Sequence, residues 1–321
     1  MTVKVVCLSP WPEDTVKGFF SGRNGIAVTT VPTTATQKEV MAALRDADLV
    51  IGDKTHRHVI DAEALSVMRS CRLIHQPAVG FDTIDHKAAG ALGIPVANSA
   101  GFNSEAVADW TVMAIISLVR SAARADRIMH SSGWPKPAGA GRELNSLRVG
   151  IIGFGNAGRR VAQRLAGFGS SVRFTDVIEP PAVDVPFLTL DQLLRSSDVV
   201  TIHTALTADT RGLMDRDRIS LMPRGSWLVN ASRGPVIVEA DLVEALQSGH
   251  LAGAALDVFD SEPLADDSPL RTMENVFLSP HVAGLSVEAE HRLLEMTAAN
   301  LVRVLNGEPP LNVVNGIGQS G

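Results

Sequence analysis

The chain of 321 residues has no tyrosine. That absence excludes any mechanism that needs a phenol as proton donor, and with it the α/β enzymes that protonate through a catalytic tyrosine. Cysteine is nearly absent too: Cys7 and Cys71 stand alone inside apolar, strand-like runs. Two thiols so far apart cannot build a disulfide framework or a Cys-rich metal centre, and they read as buried free thiols. No stretch approaches the roughly 18 consecutive apolar residues of a membrane span. Met1 to Ser9 reads as a short strand rather than a charged leader with a cleavage site, so a cytoplasmic protein is expected. Positive charge is scarce as well. The formal net charge is -6, with no Lys/Arg run able to track a phosphate backbone, which disfavours nucleic acid and leaves small molecules as the expected partners. What the chain does have is apolar mass. Its hydrophobic residues make up 45%, enough for two cores, and its length suggests two domains of about 150 residues each.

Short β-branched runs recur along the first hundred residues: Val3 to Leu8, Ile26 to Val31, Leu49 to Ile51, Leu73 to Val79 and Pro95 to Asn98. Thr36 to Arg45 and Ala62 to Arg69, between them, carry apolar residues at spacings of three and four, as on an amphipathic helix. This alternation predicts a doubly wound α/β domain with about five parallel strands. A long helix is expected over Ser104 to Arg127, then an exposed Gly/Pro-rich arm over residues 131 to 143 that carries Trp134. A second series of strands follows at Arg148 to Ile152, Val172 to Thr175, Val199 to His203, Trp227 to Asn230, Gly253 to Leu256 and Val276 to Leu278. A last helix, Val287 to Leu305, makes the first domain discontinuous if it packs back onto it. The expected fold class is thus α/β with two doubly wound parallel-sheet domains.

The run Gly153-Phe-Gly155-Asn156-Ala157-Gly158 places G-x-G-x-x-G between a predicted strand and a predicted helix. Gly153 permits a tight turn, Gly155 lets a pyrophosphate approach the backbone, and Gly158 lets helix and strand pack closely. The helix start offers unpaired N–H groups and the positive end of its dipole. Asp176, at the end of the next strand, is placed to bind ribose hydroxyls and would repel a 2′-phosphate, so the expected cofactor is NAD rather than NADP. His203 can be read equally as a strand-end residue or a cofactor contact.

Three further segments place polar residues just after predicted strands: Asn230-Ala231-Ser232-Arg233-Gly-Pro, Asp257-Val-Phe-Asp-Ser-Glu262-Pro and Ser279-Pro-His281-Val-Ala-Gly284. With the glycine loop, and with Val79-Gly80-Phe-Asp-Thr-Ile-Asp, Val107-Ala-Asp109-Trp-Thr and His203-Thr204-Ala205-Leu-Thr, they resemble the D-isomer-specific 2-hydroxyacid dehydrogenases over nearly the whole chain. Ala205 departs from the proline usual in that family, and Asp109 from a common glutamate.

The resemblance implies a Rossmann NAD-binding domain, residues 101–285, inserted in a flavodoxin-like substrate domain, residues 1–100 and 286–321. It implies hydride transfer between NAD and a small D-2-hydroxy acid. His281 would be the acid/base, Glu262 would orient it, and Arg233 would bind the carboxylate or carbonyl. Asp257 and Ala231 would face the nicotinamide, and His203 and Thr204 the adenosine side; Ser232 and Gly284 complete the cofactor set. The N–H groups of Ala78, Val79 and Gly80 would hold the substrate carboxylate. Since that loop and the catalytic three fall in different domains, closure about crossings near residues 100 and 286 is expected. A homodimer through the Ser104 to Arg142 region is implied as well. For the substrate, hydroxypyruvate or glyoxylate and 3-phosphoglycerate lead. Lys54, in the cluster Asp53-Lys54-Thr55-His56-Arg57, would meet a phosphate, unless that cluster is a solvated helix start. The chain length leaves no expected C-terminal regulatory domain. Two other readings use the same motifs: an NAD(H)-sensing interaction protein resembling the family's co-repressors, and a dehydrogenase of formate or phosphite type.

Overall fold

The computed structural model describes residues 2–131, 134, 141–180 and 183–317. Most of the predicted arm, residues 132–133 and 135–140, lies outside the described residues. The chain divides into two compact units: residues 1–102 with 287–321, and residues 103–286.

The first unit holds β1 (Val3–Cys7), β2 (Ile26–Thr30), β3 (Leu49–Ile51), β4 (Leu73–Gln76) and β5 (Val96–Asn98), all parallel, in the order β2-β1-β3-β4-β5. Strands buried on both faces read as unbroken apolar runs. Accordingly Val6, Leu8, Val50 and Ile74 pack into one core, while Val5, Cys7, Leu49 and Leu73 pack into another on the opposite face. The last helix, Val287–Leu305, contributes Leu293 and Leu301 to the second core. Thr36 caps the helix Gln37–Leu44 in a reciprocal box with Glu39. The fully buried His75 ties β4 to the last helix: Asn300 Nδ2 donates to its Nδ1 at 3.2 Å, and its Nε2 lies 3.1 Å from Ser99 Oγ. Donation to Nδ1 requires a neutral ring, and burial lowers this histidine to about 3. Cys7 is buried and Cys71 partly so; both thiols are free, and burial pushes both up to about 12.

The second unit holds β6 (Arg148–Ile152), β7 (Ser171–Thr175), β8 (Val199–Ile202), β9 (Ser226–Asn230), β10 (Leu251–Leu256) and β11 (Val276–Leu278). They form one parallel sheet in the order β11-β10-β9-β8-β6-β7, with a core on each face. Together the two sheets give the α/β class with two doubly wound parallel-sheet domains that the strand pattern predicts.

One expectation is corrected. The long helix expected over Ser104 to Arg127 is two helices, Ser104–Val119 and Ala122–Ser131, bent by 66°. Ser121 is left-handed with φ 51°, and the chain at 141–142 is what ends the first helix. Arg142 N–H donates to Val119 O at 2.9 Å, and a Cβ on Gly141 would lie 2.7 Å from that same oxygen. Among the described residues no single helix is long and apolar enough to cross a membrane. The helix Ser104–Val119 is apolar because Ala108, Val112, Ala114 and Ile115 pack into the core of the second unit.

Candidate active site

In the second unit the strand order reverses between β6 and β8, and parallel sheets bind ligands at the carboxyl ends of the strands flanking such a reversal. The loop after β6 has the shape its glycines predict. Gly153 is left-handed at φ 90°, and a Cβ there would meet the His203 carbonyl at 2.7 Å. A Cβ on Gly158 would lie 2.2 Å from Gly153 O, so the helix Asn156–Gly167 can rest on β6 only with glycine at that position. A Cβ on Gly155, by contrast, would meet nothing within 4 Å, and no side chain caps the helix start. The amides of Asn156, Ala157 and Gly158 thus open a helix N-terminus onto clear space, which fits a pyrophosphate. Asp176 stands beside the loop: Oδ2 accepts Phe154 N–H and Oδ1 accepts Val177 N–H, each at 2.7 Å. Each oxygen retains a lone pair for a ribose hydroxyl. These residues fit a dinucleotide. Phe154 stacks on Phe174 with centroids 3.9 Å apart, which keeps the loop flat against β7.

His203 follows β8 with its N–H on Ile152 O at 2.7 Å, and its Nε2 lies 3.0 Å from Thr201 Oγ1. Burial lowers its ring to about 4, so it is a neutral group at the strand end. The adjoining Ala205 carbonyl, where proline is usual, accepts Thr210 Oγ1 at 2.6 Å, which holds the turn in place of a proline ring.

The acid/base candidates meet at the ends of β9, β10 and β11. After β9, the fully buried Asn230 pins its own turn: Oδ1 accepts Ser232 N–H and Oγ, at 3.0 and 2.9 Å, and Nδ2 donates to Arg233 O at 3.0 Å. Gly234 presses this turn onto the loop after β10, where a Cβ would sit 1.8 Å from Phe259 O. In that loop Glu262 Oε1 accepts Phe259 N–H at 3.1 Å, and Oε2 lies 2.7 Å from His281 Nδ1. Partial burial pushes the Glu262 carboxyl up, but the His281 hydrogen bond and charge, the Phe259 amide and the Arg233 charge outweigh it and hold the group below its ordinary value. His281 itself is left-handed, with φ 55°, a backbone state uncommon outside glycine, though histidine enters it more readily than most residues.

Asp257, at the end of β10, holds that backbone in place. One oxygen accepts Ser279 Oγ and Val282 N–H (2.9 Å), the other accepts Ala283 N–H (2.8 Å), and its carbonyl accepts His281 N–H at 2.8 Å. Burial raises its carboxyl against the pull of those donors. Asn230, Gly234 and Ser279 were not among the expected site residues. The N-x-S-R-G spacing carries a hint of the first two, since Asn with Ser two residues on is a side-chain-closed turn. Ala231 and Ser232 lie on the Asn230 turn, and Gly284 packs on Asn103, where a Cβ would meet Nδ2 at 2.4 Å.

The first unit carries the remaining expected residues. Ala78, Val79 and Gly80 follow β4, with Ala78 O accepting Ser99 N–H at 3.0 Å and Val79 O accepting Asn98 Nδ2 at 2.7 Å. Among the described residues no hydrogen bond takes the N–H of Ala78, Val79 or Gly80. Lys54 follows β3 and ion-pairs with Glu290 at 2.6 Å. Asp53 is 2% exposed; its two oxygens accept Thr55 N–H and Oγ1 and the N–H groups of Arg57 and His58. Among the described residues no three His, Cys, Asp or Glu side chains come together as metal ligands would.

Residues 112–283 match the family model described as D-isomer specific 2-hydroxyacid dehydrogenase, NAD binding domain. The chain is 37% identical over 289 residues to the glyoxylate reductase of Thermofilum pendens, covering 87% of this chain and 85% of that one. It is 31% identical over 317 residues to the D-3-phosphoglycerate dehydrogenase of Archaeoglobus fulgidus, covering 98% of this chain but 59% of that one. It also superposes on a D-lactate dehydrogenase of Aquifex aeolicus, solved with NAD and lactic acid, with a TM-score of 0.84, 29% identity, and coverage of 97% of this chain and 99% of that one. The chain therefore belongs to the D-isomer-specific 2-hydroxyacid dehydrogenase family. It is an NAD-dependent oxidoreductase of 2-hydroxy acids.

Proposed function

We propose that this chain interconverts a small D-2-hydroxy acid and its 2-keto acid, of the glyoxylate, hydroxypyruvate or 3-phosphoglycerate kind, with His281 as acid/base. The observation that carries this reading is the 2.7 Å contact between His281 Nδ1 and Glu262 Oε2, at the carboxyl ends of the same parallel sheet that carries a glycine loop suited to a dinucleotide. NAD, when bound, supplies or accepts the hydride. The chain must then provide a proton for the carbonyl oxygen and a cation for the anionic substrate.

Glu262 fixes the ring through Nδ1, which leaves Nε2 to carry the exchanged proton. In reduction, imidazolium gives its proton to the carbonyl oxygen; in oxidation, neutral imidazole takes it back. The carboxylate of Glu262 fixes the orientation of the ring, and Asp257 keeps the ring's backbone from relaxing out of its left-handed state. Arg233 offers a planar fork of donors to the carboxylate or carbonyl oxygen and lowers the cost of charge on that oxygen. The N–H groups of Ala78 to Gly80 serve as main-chain donors to the substrate carboxylate. Asn156 to Gly158 and Asp176 hold the pyrophosphate and ribose; Ala231, Ser232, Asp257 and Gly284 border the nicotinamide, and His203 and Thr204 the adenosine.

The test is NADH oxidation against glyoxylate, hydroxypyruvate, pyruvate and 3-phosphohydroxypyruvate. With His281→Ala, kcat is expected to fall about a thousandfold, in keeping with loss of general acid/base catalysis, while NADH still binds. Binding without turnover of any keto acid would favour the sensing protein, and NADH formation from formate or phosphite would favour the one-carbon or inorganic donor. The homodimer belongs to this reading as well, and sedimentation at micromolar protein checks it.

A further inference from the structure

In the first unit the strand connections reverse between β1 and β3, which makes the crevice at their carboxyl ends the ligand position of such a sheet. Ser9, which follows β1 and is 1% exposed, fastens the two strand ends together. Its Oγ donates to Gly52 O at 2.7 Å and accepts Lys54 N–H at 3.0 Å. Just beyond, two donors converge on one oxygen: the Trp11 indole N–H and the Lys54 ammonium reach Glu290 Oε1 at 3.0 and 2.6 Å. The same ammonium lies 5.4 Å from the centroid of the Trp11 ring. Glu290 projects from the first turn of the last helix.

A cation and an indole N–H aimed at one carboxylate oxygen is the way proteins hold the anionic group of a ligand. Here the anion belongs to the chain itself. We infer that Glu290 is a specificity determinant: it occupies the donor pair at the β1/β3 crevice and neutralises Lys54. The enzyme thereby accepts 2-keto acids with one negative charge and discriminates against those bearing a second, as phosphate or distal carboxylate. The inference rests on the keto-acid reading above and narrows its substrate class.

A doubly anionic substrate entering this crevice meets a carboxylate. It recruits Lys54 only by breaking a charge-assisted bond between side chains 26% and 41% exposed, which solvent screens less than a fully exposed pair. A purely structural Glu290, complementing the helix dipole, would change stability alone.

Glu290→Gln separates the two. Its amide oxygen still accepts from Trp11 and Lys54, so the packing survives while the charge is removed. The measurement is kcat/KM with NADH for 3-phosphohydroxypyruvate over that for hydroxypyruvate. It is paired with calorimetric binding of 3-phosphoglycerate and of glycerate to the NAD-loaded protein. In the variant both ratios are expected to rise about tenfold, the worth of one charge-assisted hydrogen bond at a partly exposed site, chiefly through KM and affinity. Adding Lys54→Met is expected to erase the gain. Unchanged ratios, a gain that survives loss of Lys54, or failure of 3-phosphoglycerate to bind Glu290→Gln would overturn the inference. Absence of all keto-acid turnover in the wild type would instead strike the reaction itself, and the calorimetric ratio would still decide Glu290.

Discussion

Both sheets are wholly parallel and both gather polar side chains at the carboxyl ends of their strands, yet the two edges treat those side chains differently. In the second unit the buried anchors, Asn230 and Asp257, spend their hydrogen bonds on shaping loops, and the groups they present, Arg233, Glu262 and His281, carry charge or an exchangeable proton. In the first unit the edge satisfies itself. Asp53 closes its own loop, Ser9 staples two strand ends, and Lys54 is matched by Glu290. Among the described residues no hydrogen bond takes the N–H groups of Ala78 to Gly80 at that edge. If the proposed roles hold, one architecture is reactive at one edge and selective at the other, according to what its polar groups are paired with.

Three substitutions sharpen that contrast. Glu262→Gln should lower kcat about a hundredfold, because the ring loses the carboxylate that orients it. The same change predicts a pH effect. The Glu262 carboxyl is held below its ordinary 4.5 in the fold, so its contribution to stability is complete above that value and is lost as pH falls through the lower folded value. The melting-temperature gap between wild type and variant should therefore be widest above about pH 5 and close on further acidification.

Asp53→Ala should do the reverse. Four donors lose their acceptor, so stability falls by about 2 kcal/mol in denaturant melts while kcat changes little. A large fall in kcat would place Asp53 in the chemistry and erase the contrast between the edges.

The smallest effect concerns His75, buried neutral at about 3 in the fold. Below its ordinary 6.5 the unfolded chain takes up a proton that the native state refuses, so stability declines with pH by as much as about 1.4 kcal/mol per unit for this group. Denaturant melts at pH 7 and pH 5 should show a steeper loss for wild type than for His75→Gln. His203, lowered to about 4, acts in the same direction in both proteins.

The strands were legible because parallel strands covered on both faces are unbroken apolar runs; Leu49 to Ile51 and Arg148 to Ile152 coincide with β3 and β6 to the residue. The glycine loop was legible because its spacing is a backbone requirement. The break at Ser121 was not, since neither glycine nor proline marks it and its cause is a carbonyl partner more than twenty positions downstream. The anchoring of the His281 loop by Asp257 is hidden for a similar reason: its donors come from Ser279, Val282 and Ala283, and no local spacing encodes that meeting. Lys54 was legible as a cation near a strand end, but its neutralisation by Glu290, from the other sequence segment of the unit, was not.

With no tyrosine, the near-ultraviolet emission of this protein, apart from the weak phenylalanine band, comes from four tryptophans. Trp11 is 7% exposed, donates to Glu290 and lies beside the Lys54 ammonium, whereas Trp134 is 80% exposed. An indole held between a cation and a carboxylate shifts its emission when either charge is removed. The crevice at β1/β3 thus carries its own optical probe, readable by difference against Trp11→Phe without adding any label.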